Sequence, residues 1–208
     1  LAHQRRLILS NPLEPVELPS ATPQRPEAWL TAPEVEALAA AAAAHGEDSR
    51  VLVHLLAYGG PRISEALALH VEDLDDKRGG VHVRRTWTRT DAGRVERGGT
   101  KGGGARFVPL PPDVLAELKA LTKDRAPGAY IFTATGDAPM DDHNWRSRVW
   151  SNAVEGAGLG DVPGLVPHSL RHTFASLAIA GGIDVVTLAK VMGHKKPSIT
   201  LDVYSHFF

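Results

Sequence analysis

The chain has 208 residues, 43% of them apolar, and a formal net charge of -1 at pH 7, which is enough for one sizeable core plus a short arm. It contains no cysteine, which excludes disulfide cross-links, thiolate metal sites and a cysteine nucleophile. No apolar run approaches the roughly 20 residues that span a bilayer, and the stretch after Leu1-Ala2-His3-Gln4-Arg5-Arg6 is too short for a signal peptide, so a soluble cytoplasmic protein is expected.

The start at Leu1 and the finish at Phe208 read as those of a fragment of a longer chain. Prolines at 12, 15, 19, 23 and 26 exclude helix and predict a semi-rigid connector. Residues 1 to 28 are therefore expected to be a linker preceded by the end of another domain, with one globular domain over 29 to 208. Thr31-Ala32-Pro33-Glu34 reads as a capping box that opens an alanine-rich helix. The spacing of Val51, Leu52, Leu55 and Leu56 predicts a second helix that ends at Gly59-Gly60-Pro61, and a further helix is expected from Ser64 to Leu69.

From Gly79 to Thr88 the pattern alternates, as in a strand. Segments 94 to 100 and 106 to 110 are expected to return beside it, giving a three-stranded antiparallel sheet with Lys101-Gly102-Gly103-Gly104 at a hairpin tip. Between Val81 and Arg106 seven basic residues (Arg84, Arg85, Arg89, Arg94, Arg97, Lys101 and Arg106) face two acidic ones (Asp91 and Glu96), a local balance of +5. A basic stripe of this kind suits phosphate, although a solvated charged hairpin has the same composition. Helices are predicted over 113 to 123, 142 to 156, 168 to 180, 184 to 192 and 197 to 206. The fold class is thus α+β, mainly helical.

Four groups of residues carry candidate chemistry. Arg62 stands at the turn before a helix, with Glu65 one turn on, so a guanidinium fit for phosphate can be oriented by a carboxylate; a surface ion pair has the same spacing. His168 and Arg171, three apart, share a helical face and can converge on one anion. His172 at i+4 from His168 also permits a metal-ligand pair, but the intervening residues lack the glutamate of zinc hydrolases. His194 and Tyr204 follow. A phenol with a pKa of about 10 needs cationic neighbours to act as a nucleophile.

The chain resembles the catalytic domain of tyrosine recombinases, the phage integrases and Xer-like enzymes, across nearly its whole length. The likeness is carried by Gly60-Pro61-Arg62-Ile63-Ser64-Glu65-Ala66-Leu67, Thr100-Lys101-Gly102, Pro167-His168-Ser169-Leu170-Arg171-His172-Thr173, Met192-Gly193-His194 and Tyr204. The resemblance implies that Arg62 and Arg171 clamp a scissile phosphate, His168 assists there, and His194 bonds a non-bridging oxygen. It further implies that Tyr204 is the nucleophile, that Lys101 protonates the departing 5′ oxygen in competition with Arg97, and that Glu65 supports the site. Arg84, Arg97, Arg106 and Lys195 are expected DNA contacts.

The same resemblance implies double-stranded DNA as partner, a tetramer on DNA in the full-length protein, a monomeric fragment, accessory bending or directionality proteins, and a bacterial nucleoid setting. It implies neither metal nor other cofactor. Integration or excision of a mobile element is the expected role; a Xer-like resolvase, a silent DNA-binding regulator, a topoisomerase of the same chemistry and a metal-dependent hydrolase on His168 and His172 are the alternatives.

Overall fold

The computed structural model describes residues 28–91, 93–98 and 104–207. The proline-rich arm and Lys101 lie outside the described residues. The rest is a mainly helical domain with a small antiparallel sheet, as the sequence predicts.

Helix α1 (Ala32–Ala43) opens at the expected box: the Glu34 carboxylate accepts from the backbone N–H and the hydroxyl of Thr31, each at 2.7 Å. Helix α2 (Glu47–Gly59) buries every residue from Val51 to Ala57, all apolar except His54, and a helical stretch buried on all sides belongs at the centre of a domain. It packs against α1, against α4 (Pro112–Leu121) and against α7 (Ser169–Ala180). Gly60 ends it in a left-handed turn (φ 68°), and a Cβ there would stand 2.2 Å from the Phe174 ring. Only glycine meets both demands. The turn hands the chain to the short helix α3 (Ile63–Ala66), with Arg62 at its N-cap.

The strands differ from expectation in membership. The stretch from Gly79 to Thr88 breaks at Arg84 into β2 (Gly80–Val83) and β3 (Arg85–Thr90). The three-stranded sheet runs β1-β2-β5, with β1 at Leu74–Asp75 and β5 at Arg106–Pro109, while β3 pairs with β4 (Gly93–Gly98) as a separate ribbon. A hairpin turn thus follows Thr90, between β3 and β4, while the expected tip at 101 to 104 falls mostly outside the described residues. Burial explains the division. Val81, Val83 and Val108 are fully buried in the core, whereas the ribbon is held by polar anchors. Trp87 Nε1 donates to the Leu67 carbonyl (3.0 Å), the Arg94 guanidinium stacks over the Trp87 ring at 4.0 Å, and the Tyr130 hydroxyl donates to Glu96 (2.7 Å).

The basic stripe is also largely neutralised. Asp73, fully buried, accepts from Arg84 (3.1 Å), Arg85 (2.7 Å) and the His70 backbone N–H (3.0 Å). Glu72 and Asp73 of the acidic run and the arginines after β2, separate in sequence, are thus one ion-pair cluster.

Beyond α4 the chain forms α5 (Asp142–Trp145), a π-helical turn over Arg146–Trp150 and α6 (Ser151–Gly156), then α7, α8 (Val185–Met192) and α9 (Pro197–Tyr204). A Gly60→Ala substitution should cost about 2–5 kcal/mol, from left-handed strain plus overpacking against Phe174. Urea denaturation should show the loss, and adding Phe174→Leu should recover part of it.

Candidate active site

Five helix ends and one strand converge on the site. Arg62 enters from the N-cap of α3, with its side chain 29% exposed. Glu65, one turn along, is 1% exposed and accepts four hydrogen bonds: from the Arg62 backbone N–H (2.9 Å), from Arg62 Nη1 (3.0 Å), and from Arg106 Nη1 (3.1 Å) and Nη2 (2.6 Å). Burial raises the carboxyl pKa, but the Arg106 bonds and charge together with Arg62 outweigh it, so Glu65 stays below the usual carboxylate range. This corrects the expectation for Arg106. Its side chain is 9% exposed, its two terminal nitrogens face Glu65, and its Nε donates to the Val191 carbonyl at 2.7 Å. A guanidinium so occupied belongs to the scaffold, not to an outer phosphate-facing stripe.

Arg171, on α7, is 3% exposed. Its Nη1 donates to the Gly60 carbonyl at the end of α2, and its Nη2 to the Met192 carbonyl at the end of α8 (2.6 Å). Carbonyls in the last turn of a helix lack intrahelical partners and carry the negative end of the helix dipole. Arg106 and Arg171 therefore cap α8 together. None of the groups bonded to Arg171 carries a formal negative charge. Burial first, then the neighbouring Arg62, pushes its pKa down to about 9, so the cation persists at neutral pH but is costly until an anion arrives.

Gly193 ends α8 in a left-handed turn (φ 71°) and lets the His194 N–H reach back to the Ala189 carbonyl at 2.9 Å. His194 Nε2 lies 3.1 Å from Arg171 Nη2, and its Nδ1 lies 2.8 Å from Thr200 Oγ1. Arginine is only a donor, so Nε2 accepts and Nδ1–H donates to Thr200. His168 caps α7, exposed beside these cations. Desolvation, followed by the charges of its neighbours, pushes both imidazoles down to about 4: His172, Arg171, Arg62 and Arg146 act on His168, and Arg171, Arg62, Arg106 and His168 act on His194. Both are neutral at pH 7.

Tyr204, at the end of α9, is 2% exposed, close enough to Arg171 to act on its ionisation. Its hydroxyl lies 2.9 Å from His172 Nδ1. The sequence reading gave His172 no role outside a metal pair; its ring instead meets His168 edge-on at 5.2 Å and turns its Nδ1 to the tyrosine. Among the described residues no group of three or more His, Cys, Asp or Glu is arranged to hold a metal ion. Thr200 and Arg146 were also missed, because a threonine in a helix and an arginine on an exposed turn carry no distinguishing signal. Arg84 is 43% exposed while bonded to Asp73, and Arg97 on β4 and Lys195 after His194 are exposed.

The phage integrase family model matches residues 28–208. The chain belongs to the phage integrase family. It is 28% identical over 193 residues to the tyrosine recombinase XerA of Pyrococcus furiosus, covering 92% of this chain and 59% of that protein. To the tyrosine recombinase XerD of Mycobacterium tuberculosis it is 30% identical over 161 residues, covering 73% and 46%. The chain thus spans less than two thirds of the length of these relatives. Among solved structures, the Tn1549 transposon integrase in complex with a circular intermediate DNA superposes with a TM-score of 0.78 at 22% identity, over 97% of this chain and 69% of that one. A XerA recombinase crystal structure gives 0.67 at 23% identity, over 89% and 62%.

Glu65→Gln should destabilise the fold by about 3–5 kcal/mol, because it leaves the Arg106 cation buried without its counter-charge; urea titration measures this. Two pH windows should separate. His168 and His194 have folded pKa values depressed from 6.5 to about 4, so their share of stability is complete above about 6.5 and erodes as the pH falls towards 4. Glu65 is depressed below 4.5, so its share is lost only on further acidification. The urea midpoint should fall between pH 7 and 5, with a shallower slope in His194→Gln.

Proposed function

We propose that this chain carries the catalytic centre of a site-specific DNA recombinase that cuts and rejoins strands through a 3′-phosphotyrosine intermediate. The observation that carries the reading is a tyrosine hydroxyl set beside a buried guanidinium, Arg171, whose bonded partners bring no formal negative charge. With Arg62, Arg106 and Arg171 set against the single carboxylate of Glu65, the cluster has an excess of positive charge, and a nucleophile stands beside it. A phosphodiester supplies what is missing.

On this reading Arg62 and Arg171 grip the non-bridging oxygens of the scissile phosphate, and Glu65 keeps Arg62 in place from behind. His168 stands at the rim of the same phosphate. His194 exchanges its contact with Arg171 for one to a phosphate oxygen. Negative charge entering the cluster raises the pKa of both histidines, so each becomes a better donor as charge builds on phosphorus. The phenolate of Tyr204 attacks, the P–O5′ bond breaks, and Lys101, which lies outside the described residues, protonates the departing 5′ oxygen. The number of phosphodiester-type bonds is conserved, so religation to another 5′ hydroxyl needs no ATP. Direction then comes from the assembly: a tetramer on double-stranded DNA, with accessory proteins that bend DNA or set the outcome. Arg84, Arg97 and Lys195 are the outer cations that reach backbone phosphates.

Two roles share this chemistry. The fold likeness to a transposon integrase supports integration or excision of a mobile element, in the cytoplasm of a bacterium and on its nucleoid. The sequence likeness to XerA and XerD supports resolution of chromosome or plasmid multimers instead.

The test uses the full-length protein with a library of nicked duplexes of randomised sequence, in EDTA. Wild type should leave a denaturation-resistant protein–DNA adduct and Tyr204→Phe none, while Arg171→Ala should slow adduct formation about 100–1,000-fold. DNA retention with no adduct in wild type would replace this reading with that of a DNA-binding regulator, and an adduct that survives Tyr204→Phe would place the nucleophile elsewhere.

A further inference from the structure

We propose that His172, not His168, takes the proton from Tyr204 as it attacks the phosphate and returns it when the strand is rejoined. The inference rests on the recombinase reading and adds to it the identity of the proton acceptor.

Geometry selects the residue. Of the two histidines on the first turns of α7, only His172 makes a hydrogen bond to the tyrosine, with Nδ1 2.9 Å from the hydroxyl and ring centroids 5.6 Å apart. His168, one turn earlier on the same face, is exposed and meets His172 edge-on, which puts it on the outer, solvent side of the pair. Among the groups that the structure brings to this corner are His168 on the same helix, Tyr204 from α9, and the Arg171, Arg62 and Arg146 cations. His172 is half-buried and Tyr204 almost wholly so, so bulk water has little access to that proton.

The step balances without any further reagent. The step takes the imidazole of His172 in the form that carries its proton on Nε2 and turns the Nδ1 lone pair to the phenol, 2.9 Å away. The phenolic proton moves to Nδ1 and the oxygen lone pair forms the P–O bond. The P–O5′ electron pair leaves with the 5′ oxygen, which takes a proton from a separate acid. In religation tyrosine is the leaving group, and the imidazolium of His172 returns the same proton to it. A free phenol with a pKa of about 10 is ionised to roughly one part in a thousand at pH 7, and a positioned general base typically recovers about 100–10,000-fold in rate.

The experiment compares His172→Asn and His168→Asn in the full-length protein, scored by the rate of adduct formation on the nicked duplexes that wild type captures from the library. Asparagine keeps a hydrogen-bonding group but accepts no proton at neutral pH. Each variant is also made with Tyr204 replaced by a fluorinated tyrosine whose phenol is already ionised at pH 7. His172→Asn should slow adduct formation at least about 100-fold, and the fluorinated tyrosine should restore most of that loss, while the defect of His168→Asn should persist. In the otherwise wild-type chain the fluorinated tyrosine should remove the acid limb of the pH–rate profile, which tests the inference even where the asparagine variant fails to fold. A His172→Asn rate within about threefold of wild type, a loss that the fluorinated tyrosine leaves untouched, or rescue of His168→Asn in its place would overturn it. Absence of any adduct in wild type sinks the recombinase reading itself, a distinct result.

Discussion

The buried carboxylate of Glu65 is the constraint on which the rest of this domain depends. It sits on a helix of four residues, too short to hold its position by its own hydrogen bonds. It is held instead by four bonds from two arginines, one beside it in sequence and one 41 residues away. Burying a carboxylate and two guanidiniums costs several kcal/mol for each ion, and a hydrophobic replacement of equal volume is often no less stable. What the ionic version supplies is direction. The planar fork of Arg106 fits a carboxylate on one side and leaves Nε for the end of α8. One acid thus fixes the approach of Arg62, the seat of β5 and the last turn of α8.

Arg171 extends the same logic with the opposite charge balance. Two helices end on its guanidinium, at Gly60 and at Met192, and the partial charges of those ends partly offset its burial. Glu65 is already shared between Arg62 and Arg106. The formal balance of the whole chain, -1, therefore says little about partners: Asp73 and Glu72 cancel arginines near the sheet, while Arg171 keeps its charge at the centre. A protein of almost no net charge can still present a strong local demand for an anion, because field in a partly desolvated site depends on neighbours more than on sums.

Much of this was legible in sequence, for identifiable reasons. The box at Thr31 and Glu34, the apolar spacing of Val51, Leu52, Leu55 and Leu56 in α2 and the glycine stop at Gly60 are local signals, each spanning a few residues. Arg62, Arg171, His194 and Tyr204 were readable as a set because their order along the chain is distinctive. The misreadings share one cause, which is a partner remote in sequence. Alternation from Gly79 to Thr88 marks strand correctly but does not reveal that Val83 enters the core while Trp87 reaches Leu67, and so hides the break at Arg84. Nothing near Arg106 reports that Glu65 waits for it. His172 and Tyr204 stand 32 residues apart, and a histidine four residues from another suggests metal more readily than a tyrosine on a different helix.

Helix α9 joins Tyr204 to the cluster around Arg171 and His194 mechanically. Thr200 and Tyr204 are four residues apart and so lie on one face; both are buried, at 0% and 2% exposure. Thr200 accepts from His194 Nδ1 and so sets which face of that imidazole meets Arg171, while Tyr204 contacts His172. A rigid shift of α9 that moved the tyrosine would therefore withdraw the orienting hydroxyl from His194 in the same motion. The tyrosine and the histidine are set together or released together, so displacement of α9 takes the hydroxyl of Tyr204 and the orientation of His194 from the site at once. Partial assembly of the site is then disfavoured by geometry, whichever of the two groups the proposed chemistry uses first.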